Sequence, residues 1–172
     1  LNIVSSSRLS ESVKRRMAQV FCRLAEAEAR VHNIEVDQVH FHEVGAIDAI
    51  IDVAGAAIGF EQLGIKRFVC SPLHVGRGVV EMDHGRFPVP PPAVAELLRG
   101  VPVYSSEIEG ELVTPTGAAI ITTVCSDYGT LPPMYLEQAG YGAGTREYDK
   151  FPNVLRVLIG DDQSDETLDE KL

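Results

Sequence analysis

The chain has 172 residues, 45% of them hydrophobic, which supports a real core in one domain or in a domain with a small appendage. A formal net charge of −10 with no basic stripe argues against a nucleic-acid partner, and no run approaches the roughly 20 apolar residues of a membrane span. The three cysteines, Cys22, Cys70 and Cys125, form no Cys-x-x-Cys pair, as expected in a reducing cytoplasm.

The opening Leu1-Asn2-Ile3-Val4 has neither a methionine nor the basic region of a secretory leader, so the chain reads as an internal piece of a longer protein. Ser10 or Ser12 is placed to cap a helix running to about His32, with Val13, Met17, Val20, Phe21 and Leu24 on its core face. His32 reads as a surface or capping histidine. Cys22 and Cys125 fall on apolar faces and read as small core residues.

Most of the chemistry lies between His40 and Asp52. If Val39 to Val44 is extended, side chains alternate faces, so His40 and His42 point to the same side. Gly45 breaks the strand, and a helix over 46–63 follows, ending at Gly64. Asp48 and Asp52 stack one turn apart on it. Because Ile47, Ile50, Ile51, Val53, Ala54, Ala57, Ile58 and Phe60 fill the other sides, the helix is expected to be almost fully buried. A buried carboxylate requires a cation, a donor or a proton. The histidines, or a divalent metal shared with them, are the nearest source, and imidazole with carboxylate suits nickel, zinc or manganese. The same residues are also consistent with Asp48 compensating the helix dipole, Asp52 pairing with a distant arginine and the histidines bonding structurally.

Further on, Arg67 to Cys70 reads as a strand running into the turn-rich Ser71-Pro72-Leu73-His74-Val75-Gly76-Arg77-Gly78. Val79 to Met82 and Arg86 to Val89 are extended around Asp83-His84-Gly85. A short helix spans Ala93 to Arg99, and strands at 101–104 and 111–114 are joined across Glu107 to Gly110. Thr114 caps a helix beginning at Pro115-Thr116-Gly117, whose first-turn N–H groups offer an anion site. Strands at 134–140 and 153–159 flank Gly140-Tyr141-Gly142-Ala143-Gly144-Thr145-Arg146, either a phosphate loop with Arg146 as its cation or a bulged strand end. His74, Asp83 and His84 fall in loops or turns around one hairpin-like unit, as metal ligands without a fixed spacing or as substrate contacts, and the nearby Arg77 and Arg86 are placed to pair with Asp48 or Asp52 or to hold an anionic substrate. Residues 1–160 thus read as a single α/β (or α+β) domain with a mixed sheet, and 161–172, with six acids and one lysine, as an acidic linker or disordered tail.

Five segments, Val39 to Ala46, Ser71-Pro72-Leu73, His84 to Pro90, Glu109 to Ala118 and Gly140 to Gly144, occur in this order. Together they resemble the LarC family, the nickel insertion proteins of nickel-pincer cofactor biosynthesis, over about residues 8–160. The resemblance implies insertion of Ni²⁺ into pyridinium-3,5-bisthiocarboxylic acid mononucleotide, giving the cofactor of lactate racemase, in a lyase-class reaction. It further implies CTP with Mg²⁺ or Mn²⁺ on a C-terminal domain that would begin after Leu172, lactate racemase apoprotein as a partner, and a homo-oligomer. On chemical grounds His40, His42, Glu43, Asp48 and Asp52 are the candidate metal ligands, with Glu43 or His42 as the base that removes the pyridinium C4 proton. Candidate substrate contacts are His74, Arg77, His84, Arg86, Thr114, Thr116, Gly117, Gly142, Gly144 and Arg146. Two other readings are a metal-dependent hydrolase using the His-x-His-Glu group to activate water and a non-catalytic assembly domain in which the cluster is a buried hydrogen-bonded network.

Overall fold

A computed structural model describes residues 2–39, 47–82, 84–149 and 151–162. Helices and short strands alternate along it, the mixed α/β class that the sequence suggests. By contacts the chain divides into two compact units, Leu1–Gly129 and Thr130–Leu172. That boundary falls inside the 1–160 span read as one domain.

The first unit is organised around α2 (Glu11–His32), which follows the short α1 (Asn2–Ser6). Ser10 is the cap. Its Oγ accepts from the Val13 N–H at 3.2 Å and donates to both Glu61 carboxylate oxygens, at 2.7 and 2.9 Å. One hydroxyl thus starts α2 and ties it to the last turn of α3 (Ile47–Gln62). At the far end Asn33 takes the left-handed conformation that closes the helix. Val13, Met17, Val20, Phe21 and Leu24 are all buried, as their spacing requires. Leu24 is completely inaccessible, a burial that stabilises by about 1.5–3 kcal/mol. Around this stripe pack α3, α4 (Pro92–Leu97) and α5 (Pro115–Val124), contributing Ala49, Val53, Ala57, Val94, Leu97, Ala118 and Ala119 to one core. Cys22, expected inside, is exposed, because it sits one position beyond the buried stripe.

The expectation of an almost fully buried α3 is corrected. Only Ala49, Val53 and Ala57 are buried, on the side facing α2 and α5. Ile47 and Ile51 are 76% and 62% exposed, and Asp48 and Asp52 share that open side. The small alanines allow close helix packing along one seam, Ile50, Ala54 and Ile58 are partly covered beside it, and Ile47, Asp48, Ile51 and Asp52 are left open. Hydrophobicity all round a helix normally marks burial, but here the open face keeps its isoleucines.

The strands are brief. β1 (Val69–Cys70) pairs in parallel with β8 (Asp127–Tyr128), and β2 (Leu73–His74) in parallel with β6 (Val103–Tyr104). β3 (Gly76–Arg77) pairs antiparallel with β7 (Gly110–Glu111). The extended run from Phe68 to Arg77 therefore has three partners in turn. β6 and β7 do not pair with each other, although the sequence places them either side of one connection. β4 (Val79–Met82) and β5 (Gly85–Pro88) form the expected hairpin. In the second unit β9 (Met134–Ala143) and β10 (Val154–Asp162) make a long antiparallel ribbon with a bulge between Ile159 and Gly160. Asp161 and Asp162 thus end a strand rather than begin a tail. No helix among the described residues is long and apolar enough to cross a membrane.

Candidate functional site

His40, His42 and Glu43 lie outside the described residues, as does Asp83. Asp48 and Asp52 are placed, in the first two turns of α3, directly after that segment. Both are exposed, so neither needs the buried counter-ion argued from the sequence. The Asp48 Oδ1 accepts from the Ala49 N–H at 2.8 Å, and its charge sits at the positive end of the helix dipole. Among the described residues no group of three or more His, Cys, Asp or Glu is arranged to hold a metal.

The strand pairings bring the stretch just after Ser71-Pro72-Leu73 against the quoted segment that starts at Glu109. Leu112 N–H donates to Val75 O at 3.2 Å and Arg77 N–H to Ile108 O at 3.1 Å, so Leu73 to Gly78 lies against Glu109 to Leu112. Gly76, at φ +85°, makes this approach possible, since a Cβ there would run into the Gly110 carbonyl oxygen. At this junction the Arg77 guanidinium reaches Glu109 at 3.5 Å, while Arg86 reaches Glu81 across the β4–β5 hairpin at 3.8 Å. Both pairs are exposed, so solvent and salt screen them and either arginine can exchange its carboxylate for another anion at little cost.

His74 is half-buried. Its Nε2 is 2.7 Å from Ser106 Oγ and its ring stands edge-on to Tyr104 with centroids 4.6 Å apart. These contacts orient the imidazole toward its own strand neighbours. His84, at the hairpin turn, instead meets His32 of α2, ring centroids 5.1 Å apart, with Glu28 3.5 Å from His32 Nε2. No local signal marks that pair, because its members come from elements far apart along the chain.

At the start of α5, Thr114 is the cap, its Oγ accepting from the Gly117 N–H at 3.2 Å. Pro115 has no N–H to offer. The anion site expected there thus has fewer donors than the motif suggests, Thr116 remaining as the donor of that turn. In the second unit, Gly140 and Gly142 sit inside the β9–β10 ladder, opposite Val157 and Leu155, and Gly144 N–H donates to Asn153 O at 3.0 Å. The glycine run is the end of a strand, not a loop. Arg146, just beyond it, is exposed, its carbonyl accepting from Asn153 Nδ2 at 3.0 Å.

The sequence also left the thiols apart, whereas Cys70 and Cys125, both half-buried, shift each other's titration. The Cys125 thiol donates to Cys70 and holds it down to about 7, from an ordinary 9.0, against the opposing effect of burial. The same bond, with burial, pushes Cys125 well up.

The family model described as nickel insertion protein matches residues 1–171. The chain belongs to the nickel insertion protein family. Among relatives of this family, a protein of Desulfitobacterium hafniense strain DCB-2 named pyridinium-3,5-bisthiocarboxylic acid mononucleotide nickel insertion protein is 50% identical over 159 residues, 92% of this chain and 39% of the relative. Its counterpart in strain Y51 is 49% identical over the same length. A protein of Dictyoglomus thermophilum is 51% identical over 161 residues, 94% of this chain and 42% of its own. The chain therefore spans about two fifths of these nickel insertion family relatives. No solved structure matches it.

Proposed function

We propose that this chain is the part of a nickel insertion protein that receives Ni²⁺ and passes it to pyridinium-3,5-bisthiocarboxylic acid mononucleotide. The observation that carries the reading is the 50% identity across 92% of the chain to a relative bearing that name. Ni²⁺ is cargo here, and must be held firmly enough to be selected yet released to substrate. The imidazoles of His40 and His42 with the carboxylates of Glu43, Asp48 and Asp52 suit that task, because ligands harder than thiolate yield to the two softer thiocarboxylate sulfurs. The exposure of Asp48 and Asp52 supports a transfer site, since carboxylates open to solvent exchange ligands readily.

Forming the nickel–carbon bond displaces the proton on pyridinium C4, and Glu43 or His42 accepts it. Arg77 and Arg86 supply exchangeable cations for the phosphate and thiocarboxylates, with His74, His84, Thr114, Thr116 and Gly117 as further contacts of the first unit and Gly142, Gly144 and Arg146 as those of the second. In the longer protein the reaction uses CTP with Mg²⁺ or Mn²⁺, belongs to the lyase class, and delivers the cofactor that lactate racemase uses.

The test is to incubate the chain, alone and within a protein of the relatives' length, with the mononucleotide, Ni²⁺, CTP and Mg²⁺. Formation of the nickel adduct is followed by mass and visible absorption. The reading expects adduct in the longer protein and its loss in His42→Ala. Equal adduct formation by His42→Ala and Glu43→Gln refutes the assignment of the base.

A further inference from the structure

The loop between β6 and β7 sets a serine against a histidine of β2. Val75 N–H donates to Tyr104 O at 3.0 Å and Arg77 N–H to Ile108 O at 3.1 Å, so residues 105–107 span the gap between two anchored points. Ser105 Oγ fastens this loop by donating to Gly76 O at 2.7 Å. Ser106, next along, has its Oγ 2.7 Å from His74 Nε2, and the Tyr104 ring stands edge-on to the same imidazole. The other ring nitrogen, Nδ1, is enclosed within the protein. Both nitrogens of His74 are thus turned to the fold, and neither faces a molecule arriving from solvent. A serine hydroxyl, by contrast, has one proton and two lone pairs, so a bond to Nε2 leaves it capacity for a second partner.

We infer that Ser106 is the hydroxyl that contacts the phosphate monoester of the substrate, beside Arg77, and that His74 is its positioning residue. The identity of the substrate rests on the nickel-insertion reading, and a direct His74 contact is replaced by one made through Ser106. His74 donates from Nε2 to Ser106 Oγ, which fixes the hydroxyl and leaves its proton to be donated outward. A hydroxyl donated to a phosphate oxygen makes a charge-assisted bond, stronger than one between neutral groups. Arg77 supplies the charge. It follows Gly76, the residue whose carbonyl Ser105 holds, and its guanidinium is 52% exposed and paired with the exposed Glu109 at 3.5 Å. A chain of net charge −10 repels a dianion unless such a cation is local. The loop therefore combines a fixed neutral donor with a cation that can exchange its carboxylate, a combination that suits a phosphate monoester.

The experiment titrates the folded chain, followed by NMR, with three probes. They are inorganic phosphate, nicotinic acid mononucleotide (a pyridinium carboxylate on ribose phosphate) and the riboside that lacks the phosphate. The native chain is expected to bind the mononucleotide more tightly than the riboside, and equal binding overturns the inference without any variant. Ser106→Ala should weaken phosphate and mononucleotide about tenfold, the size of one hydrogen bond to a charged group, and leave the riboside unchanged. Ser106→Thr keeps the hydroxyl and should keep the binding. His74→Phe should lose as much as Ser106→Ala, and the double variant no more than either, because both act through one hydroxyl. His74→Gln, which retains a donor, should lose less. Ser105→Ala removes the other fastening of the loop and should leave the ratio of mononucleotide to riboside unchanged. An unaltered ratio in Ser106→Ala, additive losses in the double variant, or an equal loss in Ser105→Ala overturns the inference. Mononucleotide binding indifferent to Ser106 removes this contact and leaves the nickel-insertion reading standing. Phosphate binding that needs Ser106, with no gain from the rest of the mononucleotide, supports the contact and counts against that reading.

Discussion

Replacing Gly76 by alanine perturbs the point at which β3 meets the family segment that starts at Glu109. Gly76 has φ +85°, a conformation that costs a residue with a Cβ about 1–2 kcal/mol. The added carbon also overlaps the Gly110 carbonyl oxygen, and Gly110, itself at φ +122°, has no easy alternative backbone position. Relief requires β3 to draw away from β7, losing the bonds from Leu112 N–H to Val75 O and from Arg77 N–H to Ile108 O, at about 1 kcal/mol each. Together the loss is about 3–4 kcal/mol, a large part of the 5–15 kcal/mol typical of a domain. Gly64→Ala provides the control, since Gly64 also has positive φ, +65°, but nothing lies within 4 Å of its Cβ position. It should lose only about 1–2 kcal/mol. Gly55→Ala, on the open side of α3 in helical backbone, should gain up to about 1 kcal/mol. Urea unfolding followed by circular dichroism orders the three. A Gly76→Ala midpoint no lower than that of Gly64→Ala refutes the close-approach argument.

Four further outcomes are expected. Ser10→Ala removes the α2 cap and the bond to Glu61 and should cost about 1–2 kcal/mol by the same assay. Leu24→Ala empties the centre of the core and should cost about 2–5 kcal/mol. Ile51→Gln, on the open face of α3, should change stability by less than about 0.5 kcal/mol, and a loss of several kcal/mol would restore the fully buried helix. The folded value of Cys70, about 7, lies below its unfolded 9.0, so its contribution is full above 9.0 and lost as pH falls through 7. Cys125, shifted the other way, opposes any further gain above 9.0, so the difference in stability between the native chain and Cys125→Ala, which has no side-chain donor, should grow from pH 7 to 9.

Helical periodicity made α2 legible almost to the residue, because Val13, Met17, Val20, Phe21 and Leu24 bury one stripe and Ser10 supplies a local cap. Thr114-Pro115 marked the start of α5 for the same local reason. The strands were harder. A run such as Phe68 to Arg77, paired in turn with β8, β6 and β7, takes its structure from residues far along the chain, and propensity says nothing about which. For α3, composition suggested burial on every side, whereas packing decides the matter and buries fully only Ala49, Val53 and Ala57. The Gly140–Gly144 run read somewhat better as a bulged strand end or tight turn than as a phosphate loop, and its pairing with β10 was set by a segment beyond it. Of the candidate site, the grouping of Arg77 with Glu109 follows from β3–β7 pairing, while the His32–His84 and Cys70–Cys125 contacts carry no local signal at all.

The claim on which the functional account rests is that the His-x-His-Glu segment and the two aspartates after it receive nickel. Calorimetric titration of the folded chain with Ni²⁺ addresses this directly. The account predicts one Ni²⁺ per chain, binding abolished in His40→Ala/His42→Ala and weakened in Asp48→Asn/Asp52→Asn, with the circular dichroism of every variant unchanged. Absence of stoichiometric binding, or binding of equal strength in the double-histidine variant, contradicts it.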